Sequence, residues 1–194
     1  MTFNCHFANR MPLILAVVSF ISLPAHADDI SDAIAEGQKA YQLGDYTTAK
    51  QSLDTASQLI AQKNAEGFAK ALPKPLPGWT ADEAESSASG IMALGGSVAS
   101  RRYKKGDEIE IEISISADNA ILTQQIAIFA NPQMAGLMGK LVPIGGQKAI
   151  QTKDGDITMM VANRFIISVN GSGSADEKLG YAKAIDIATL TKLK

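Results

Sequence analysis

The chain is 194 residues long, enough to bury one substantial core with a small appendage, and its 18 basic and 20 acidic side chains give a formal net charge of −2. That mildly acidic balance lacks the basic footprint that a nucleic-acid-binding face requires. One cysteine and two histidines leave little for a disulfide framework, a thiol or imidazole nucleophile, or a His/Cys metal centre.

Residues 1–27 hold no acid and one base, Arg10, and the run from Leu13 to Leu23 is almost wholly apolar. Pro24 ends the run, Ala25-His26-Ala27 places small residues at the two positions a signal peptidase reads, and Asp28-Asp29 follow. The pattern predicts a Sec-type signal peptide over 1–27, cleaved after Ala27, and a periplasmic mature chain with no membrane span. The apolar run is shorter than the roughly 20 residues that cross a bilayer core. Cys5 lies ahead of it rather than at its end, which argues against a lipid-anchored start. Cleavage would remove Cys5, His6 and His26, and with them every thiol and imidazole. The expectation is therefore a protein that is not an enzyme and carries no cofactor or metal.

Residues 28–70 read as a helical hairpin. Ile30, Ala33, Ile34, Gly37, Ala40 and Tyr41 recur at helical spacing, Gly44-Asp45 interrupts, and Tyr46, Ala49, Leu53, Ala56, Leu59 and Ile60 resume it. On Gly37, Ala40, Gly44-Asp45-Tyr46, Ala49, Leu53 and Ala56, the stretch GQKAYQLGDYTTAKQSLDTA resembles a single tetratricopeptide (TPR) unit over residues 33–61. It lacks that motif's large aromatic near Ala33 and its proline near Ala61. Such a unit cannot bury its face alone, so the resemblance implies docking on its own chain, on an envelope protein, or on a second copy. Tyr41, Tyr46 and Trp79 are the candidate partner-binding residues, because aromatics concentrate at interface hot spots. The competing reading buries these rings inside the hairpin or between hairpin and sheet.

Residues 71–79, ALPKPLPGW, read as a Pro-rich linker, with alternate prolines holding an extended, semi-rigid spacer. Thr80-Ala81-Asp82-Glu83 has the form of a capping box opening a short helix, and residues 86–97 read as a loop. From there to the end, residues 80–194 read as an α+β domain. GDEIEIEISIS alternates strictly, placing Ile109, Ile111, Ile113 and Ile115 on one face. A three-residue loop at Gly106 would pair it with SVASRRYKK, setting Tyr103 on the isoleucine face and Arg102 and Lys104 opposite glutamates. Residues 118–130 read as a helix capped by Asp118, followed by a shorter one begun at Pro132. Turns at Gly145-Gly146, Asp154-Gly155 and Asn163-Arg164 separate four short strands, and a capping box at Ser174 opens a final helix.

The order β-β-α-β-β-β-β-α describes an antiparallel sheet packed with helices. On that order, and on GGQKAIQTKDGDITMMVANRFIISVNGSG before a terminal helix, residues 79–194 are similar to the PsbP-like fold. The resemblance implies a binding or assembly role and brings no catalytic motif.

Three constellations invite chemistry. Glu108, Glu110 and Glu112 could hold Ca²⁺ or supply a carboxylate pair, but catalytic pairs come from different elements around a cleft. A solvated strand face paired with Arg102 and Lys104 is the stronger reading. The NGSGS loop matches no phosphate-binding motif and reads as a strand-to-helix turn. Phe129, Met134, Met138 and Met159 read as core filler, or as the lining of an apolar ligand site between sheet and helices. The sequence thus predicts an exported, non-enzymatic interaction or assembly factor of the cell envelope, with a small-ligand or lipid carrier as the alternative.

Overall fold

The computed structural model describes residues 28–88, 96–118 and 121–193; the segment read as a signal peptide lies outside the described residues. Helix α1 (Asp29–Gln42) packs along α2 (Tyr46–Ala69). Asp28 caps the first by accepting from Ile30 N at 3.3 Å, and Asp45 caps the second by accepting from Thr48 N at 3.0 Å. Ala33, Gly37, Ala40, Ala49 and Ala56 bury the seam. At Gly37 the helices approach so closely that a Cβ would lie 3.0 Å from Leu53 Cγ.

Helix α2 runs on past its partner and into the core of the sheet. Ala65 and Phe68 are buried there, and the Phe68 ring meets that of Phe165 edge-on, 5.3 Å between centroids and 88° between planes. Gln62 Nε2 donates to Ser86 Oγ at 3.2 Å. The same helix therefore carries both the hairpin seam and part of the sheet's apolar cover.

Among the described residues the sheet has eight strands: β1 (Thr80–Ala81), β2 (Glu85–Ser87), β3 (Ser97–Lys105), β4 (Ile109–Ala117), β5 (Lys140–Ile144), β6 (Gln147–Gln151), β7 (Ile157–Val161) and β8 (Phe165–Gly171). Their order is β1-β3-β4-β8-β7-β6-β5, with β2 also on β3, and every pairing is antiparallel. After the β3–β4 hairpin the chain crosses through α3 (Ile121–Ala130) and α4 (Pro132–Met138) to the far edge. It then returns strand by strand until β8 closes on β4. One face carries Tyr103, Ile111, Ile113, Ile115, Ile157, Met159, Phe165 and Ile167, under α2, α5 (Ala175–Ala184) and α6 (Ile187–Lys192). Beneath α3 and α4 the other face buries a smaller apolar cluster that includes Ile150, Met160 and Ile166. This is the α+β architecture that the strand alternation predicted.

The β3–β4 register is the expected one: Tyr103 faces Ile111, Arg102 faces Glu112 and Lys104 faces Glu110 across the loop at 106–108. Asn131 caps α4 at Pro132, and Ser174 and Glu177 form the reciprocal capping box of α5. Several local readings are corrected. Thr80-Ala81 is a strand end on β3 rather than a helix start, because Asp82 N bonds Arg102 O at 3.0 Å and its carboxylate takes Lys104. Residues 86 and 87, expected as the start of a loop, pair with β3 together with Glu85, while 89–95 lie outside the described residues. Asp118 has a left-handed φ of 57°, and its carboxylate receives the Arg164 guanidinium at 3.0 and 3.3 Å. The β7–β8 turn is built on Ala162-Asn163, both at φ 52°, one residue earlier than expected. The terminal helix breaks at Ile185-Asp186, where Asp186 caps α6 through Thr189 N at 2.9 Å and its own N–H bonds Ala71 O at 3.1 Å.

The proline-rich stretch packs as a strap rather than standing free. Ala71, Leu72 and Pro73 are buried, and Pro73 O accepts from Tyr103 Oη at 2.8 Å and from Arg101 Nη1 at 3.3 Å. Leu76 N donates to Tyr181 Oη at 3.3 Å. Burial pushes the phenols of Tyr103 and Tyr181 up from their ordinary values.

Candidate functional site

Two places combine exposure with apolar surface. The first is the outer flank of the hairpin. Tyr41 and Tyr46 are 66% and 69% exposed with ring centroids 6.0 Å apart, and Leu43 between them is 76% exposed. Ile34, Leu53 and Ile60 are each about half exposed. Ile34 and Tyr41 are seven apart on α1, and Tyr46, Leu53 and Ile60 are each seven apart on α2. Seven residues is close to two helical turns, so each helix carries one apolar stripe. The Tyr41–Tyr46 contact and the approach of Gly37 to Leu53 set the two stripes side by side.

Trp79 does not join them. It stands edge-on to Tyr181, 5.1 Å between centroids, with Lys105 Nζ 5.9 Å above its ring, at the opposite end of the strap. Of the three candidate partner-binding residues, the structure brings two together and places the third as an anchor of the strap against α5.

The second place is a cleft on the α3–α4 side of the sheet. Its floor is the cross-strand row Pro143, Lys148, Met160. Its walls are Ile126, Phe129 and Ala130 of α3, Pro132 of α4, Gly146 of the β5–β6 turn, and the Ala162-Asn163 turn. It has two adjoining compartments of about 500 and 320 Å³, which share Phe129, Gly146, Gln147 and Lys148. Gly146 at φ 78° turns the chain so that Gln147 and Lys148 enter both compartments. The second turn costs more: Ala162 holds a left-handed conformation that disfavours a residue with a Cβ.

Of the four residues read as lining a ligand site, Phe129 borders both compartments. Met159 is fully buried on the opposite face of the sheet, under α2 and the C-terminal helices; its neighbour Met160 lines the cleft instead. Met134 and Met138 are about half exposed on α4 and line neither compartment. Lys148, Gln147 and Ala162 were not legible as a group, because only the folding of two separate turns brings them together.

On the acidic strand the Glu110 and Glu112 carboxylates pair with Arg102, whereas Lys104 goes to Asp82 and Glu108, among the described residues, is bonded only through its backbone carbonyl. Arg102 Nε lies 3.3 Å from Glu112 and 4.0 Å from Glu110, while Glu108 O accepts from Ser172 Oγ at 3.2 Å. Among the described residues no three His, Cys, Asp or Glu side chains are placed to hold a metal ion. Among the same residues no helix is long and apolar enough to cross a membrane. In comparisons with known proteins the chain matches no family model, and no similar curated protein or solved structure is found.

Proposed function

We propose that this chain is an exported, periplasmic, non-enzymatic protein that binds a helix of an envelope partner along the outer flank of its N-terminal hairpin. The observation that carries the reading is the pair of adjoining exposed stripes, Ile34 and Tyr41 beside Tyr46, Leu53 and Ile60. Heptad spacing of half-exposed apolar side chains is the pattern by which one helix receives another. The TPR-like motif supports the same reading, because a unit of that kind has its free face covered by a neighbouring helix pair. Export rests on the apolar run and the Ala25-His26-Ala27 sequence. The rigid continuation of α2 into the sheet core would fix the hairpin's direction relative to the rest of the molecule.

The test replaces stripe residues and leaves the small buried seam residues Ala33, Gly37, Ala40, Ala49 and Ala56 unchanged. A chain with Tyr41→Ser, Leu53→Ser and Ile60→Ser is compared with wild type for recovery of a stoichiometric complex from gently extracted cell envelopes. The expected result is a complex that wild type recovers and the variant does not, while both chains keep their helical circular dichroism. A variant that recovers the same complex would refute this face as the docking surface.

A further inference from the structure

We infer that the cleft between α3, α4 and the β5–β6 hairpin is a binding site for a single-chain amphipath with one anionic head group, such as a medium-chain fatty carboxylate. The inference is independent of the hairpin reading and concerns the opposite end of the sheet. Three observations carry it. The first is chemical asymmetry within one continuous space. Apart from the shared Gln147 and Lys148, the side chains bordering the compartment of about 320 Å³ are apolar, with Phe129, Pro132, Leu141 and Pro143 among them. The compartment of about 500 Å³ adds the amide of Asn163, and the Gln147 amide stands where the two adjoin. Together they fall within the size range of small-ligand sites, which pair an apolar lining with a few polar groups that fix orientation.

The second observation is charge. Lys148 is the one charged side chain among the described residues that border either compartment, and no carboxylate lies with it. Among the described residues its ammonium makes no ion pair and no hydrogen bond, as is true of several other exposed lysines, so it is free to meet an anion in the cleft. Its stem lies in the floor row between Pro143 and Met160, so the cation stands at the junction of the two compartments. A carboxylate there would gain a charge-assisted bond while its chain lies against Phe129 and Leu141.

The third observation is the backbone. Ala162 and Asn163 both take φ 52° at the rim, a conformation that asparagine tolerates but that costs free energy for Ala162. Strain of that kind gathers at ligand sites, and here it sets the Asn163 side of the mouth.

The test uses decanoate below its micelle concentration, with the purified protein, in calorimetry and in amide NMR. Saturable binding is expected, with shift changes at Gln147, Lys148 and Ala162 and none on α1. Octanoate should bind about tenfold more weakly, as two fewer methylenes are buried. Lys148→Gln should weaken decanoate about fivefold and leave decanol unchanged, because only the acid uses the charge. Lys148 is exposed, so the variant is expected to fold, and a thermal melt confirms it. Shifts that fall elsewhere, no saturation, or equal loss of decanol would overturn the inference. Cosedimentation with phosphatidylglycerol vesicles in place of decanoate binding would overturn it in favour of a membrane-surface contact.

Discussion

Phe68→Ala separates the two halves of α2. Phe68 is 1% exposed, lies in the sheet core and meets Phe165 edge-on. Truncating a buried phenylalanine to alanine costs about 3–5 kcal/mol through lost transfer free energy and the cavity left behind. For a chain of this size, about 2–4 °C of melting temperature follows each kcal/mol, so the midpoint should fall by about 6–20 °C. Tyr46→Ala, on the same helix but 69% exposed, should cost at most about 0.5 kcal/mol, or roughly 1–2 °C. Both are read by circular dichroism at the helical minimum, in a single thermal scan each. A Phe68→Ala shift under about 3 °C would refute the account, as would a melt in two steps with the hairpin signal lost on its own. Either result would mean that the hairpin is not joined to the sheet through α2. The same packing makes deletion of residues 28–70 a poor test of binding, since it would strip Phe68 from the core along with the docking face.

Two further outcomes follow from local geometry. Ala162→Gly relieves a left-handed alanine and should raise stability by about 1 kcal/mol, or about 2–4 °C in the melt; no rise would mean that the turn is not strained. The Glu177 carboxyl is held down to about 2 by its bond from Lys105 and its capping bonds from Ser174. A depressed acid stabilises the fold above its unfolded value and loses that contribution as pH falls, so the loss should run from about pH 4.5 to about pH 2. Urea midpoints should fall more steeply through that window in wild type than in Glu177→Gln; parallel curves would contradict the assignment.

How much could be read from the chain alone depended on how local the cause was. The β3–β4 hairpin was legible because alternation fixes which side chains share a face, and the loop at Gly106 then fixes the register. The helix start at Pro132 and the capping box at Ser174 were legible because such signals act within one turn. Thr80-Ala81-Asp82-Glu83 satisfied the same local rule, yet the edge of β3 offered Thr80 and Asp82 backbone partners that a helix start could not match. The proline strap misled for a related reason. Extended backbone is what prolines at alternate positions favour, but whether it is solvated depends on Tyr103 and Tyr181, far away in sequence. Asp186 carried a readable cap signal for α6, with Thr189 three residues on, but it sits inside an apolar spacing that suggested one continuous helix. At the candidate sites, Tyr41 and Tyr46 were readable as a pair across a short turn. Lys148 was not, because it reaches Phe129 only once the meander returns beneath α3.

The most direct test of the docking claim is a photocrosslink in living cells. Benzoylphenylalanine is placed at Leu53 in one strain and at Asn170, an exposed position on β8, in another. One discrete heavier adduct is expected from Leu53, none from Asn170, and loss of the Leu53 adduct when Ile60→Ser is added to the same stripe. No adduct from Leu53, or the same adduct from Asn170, would contradict the docking claim.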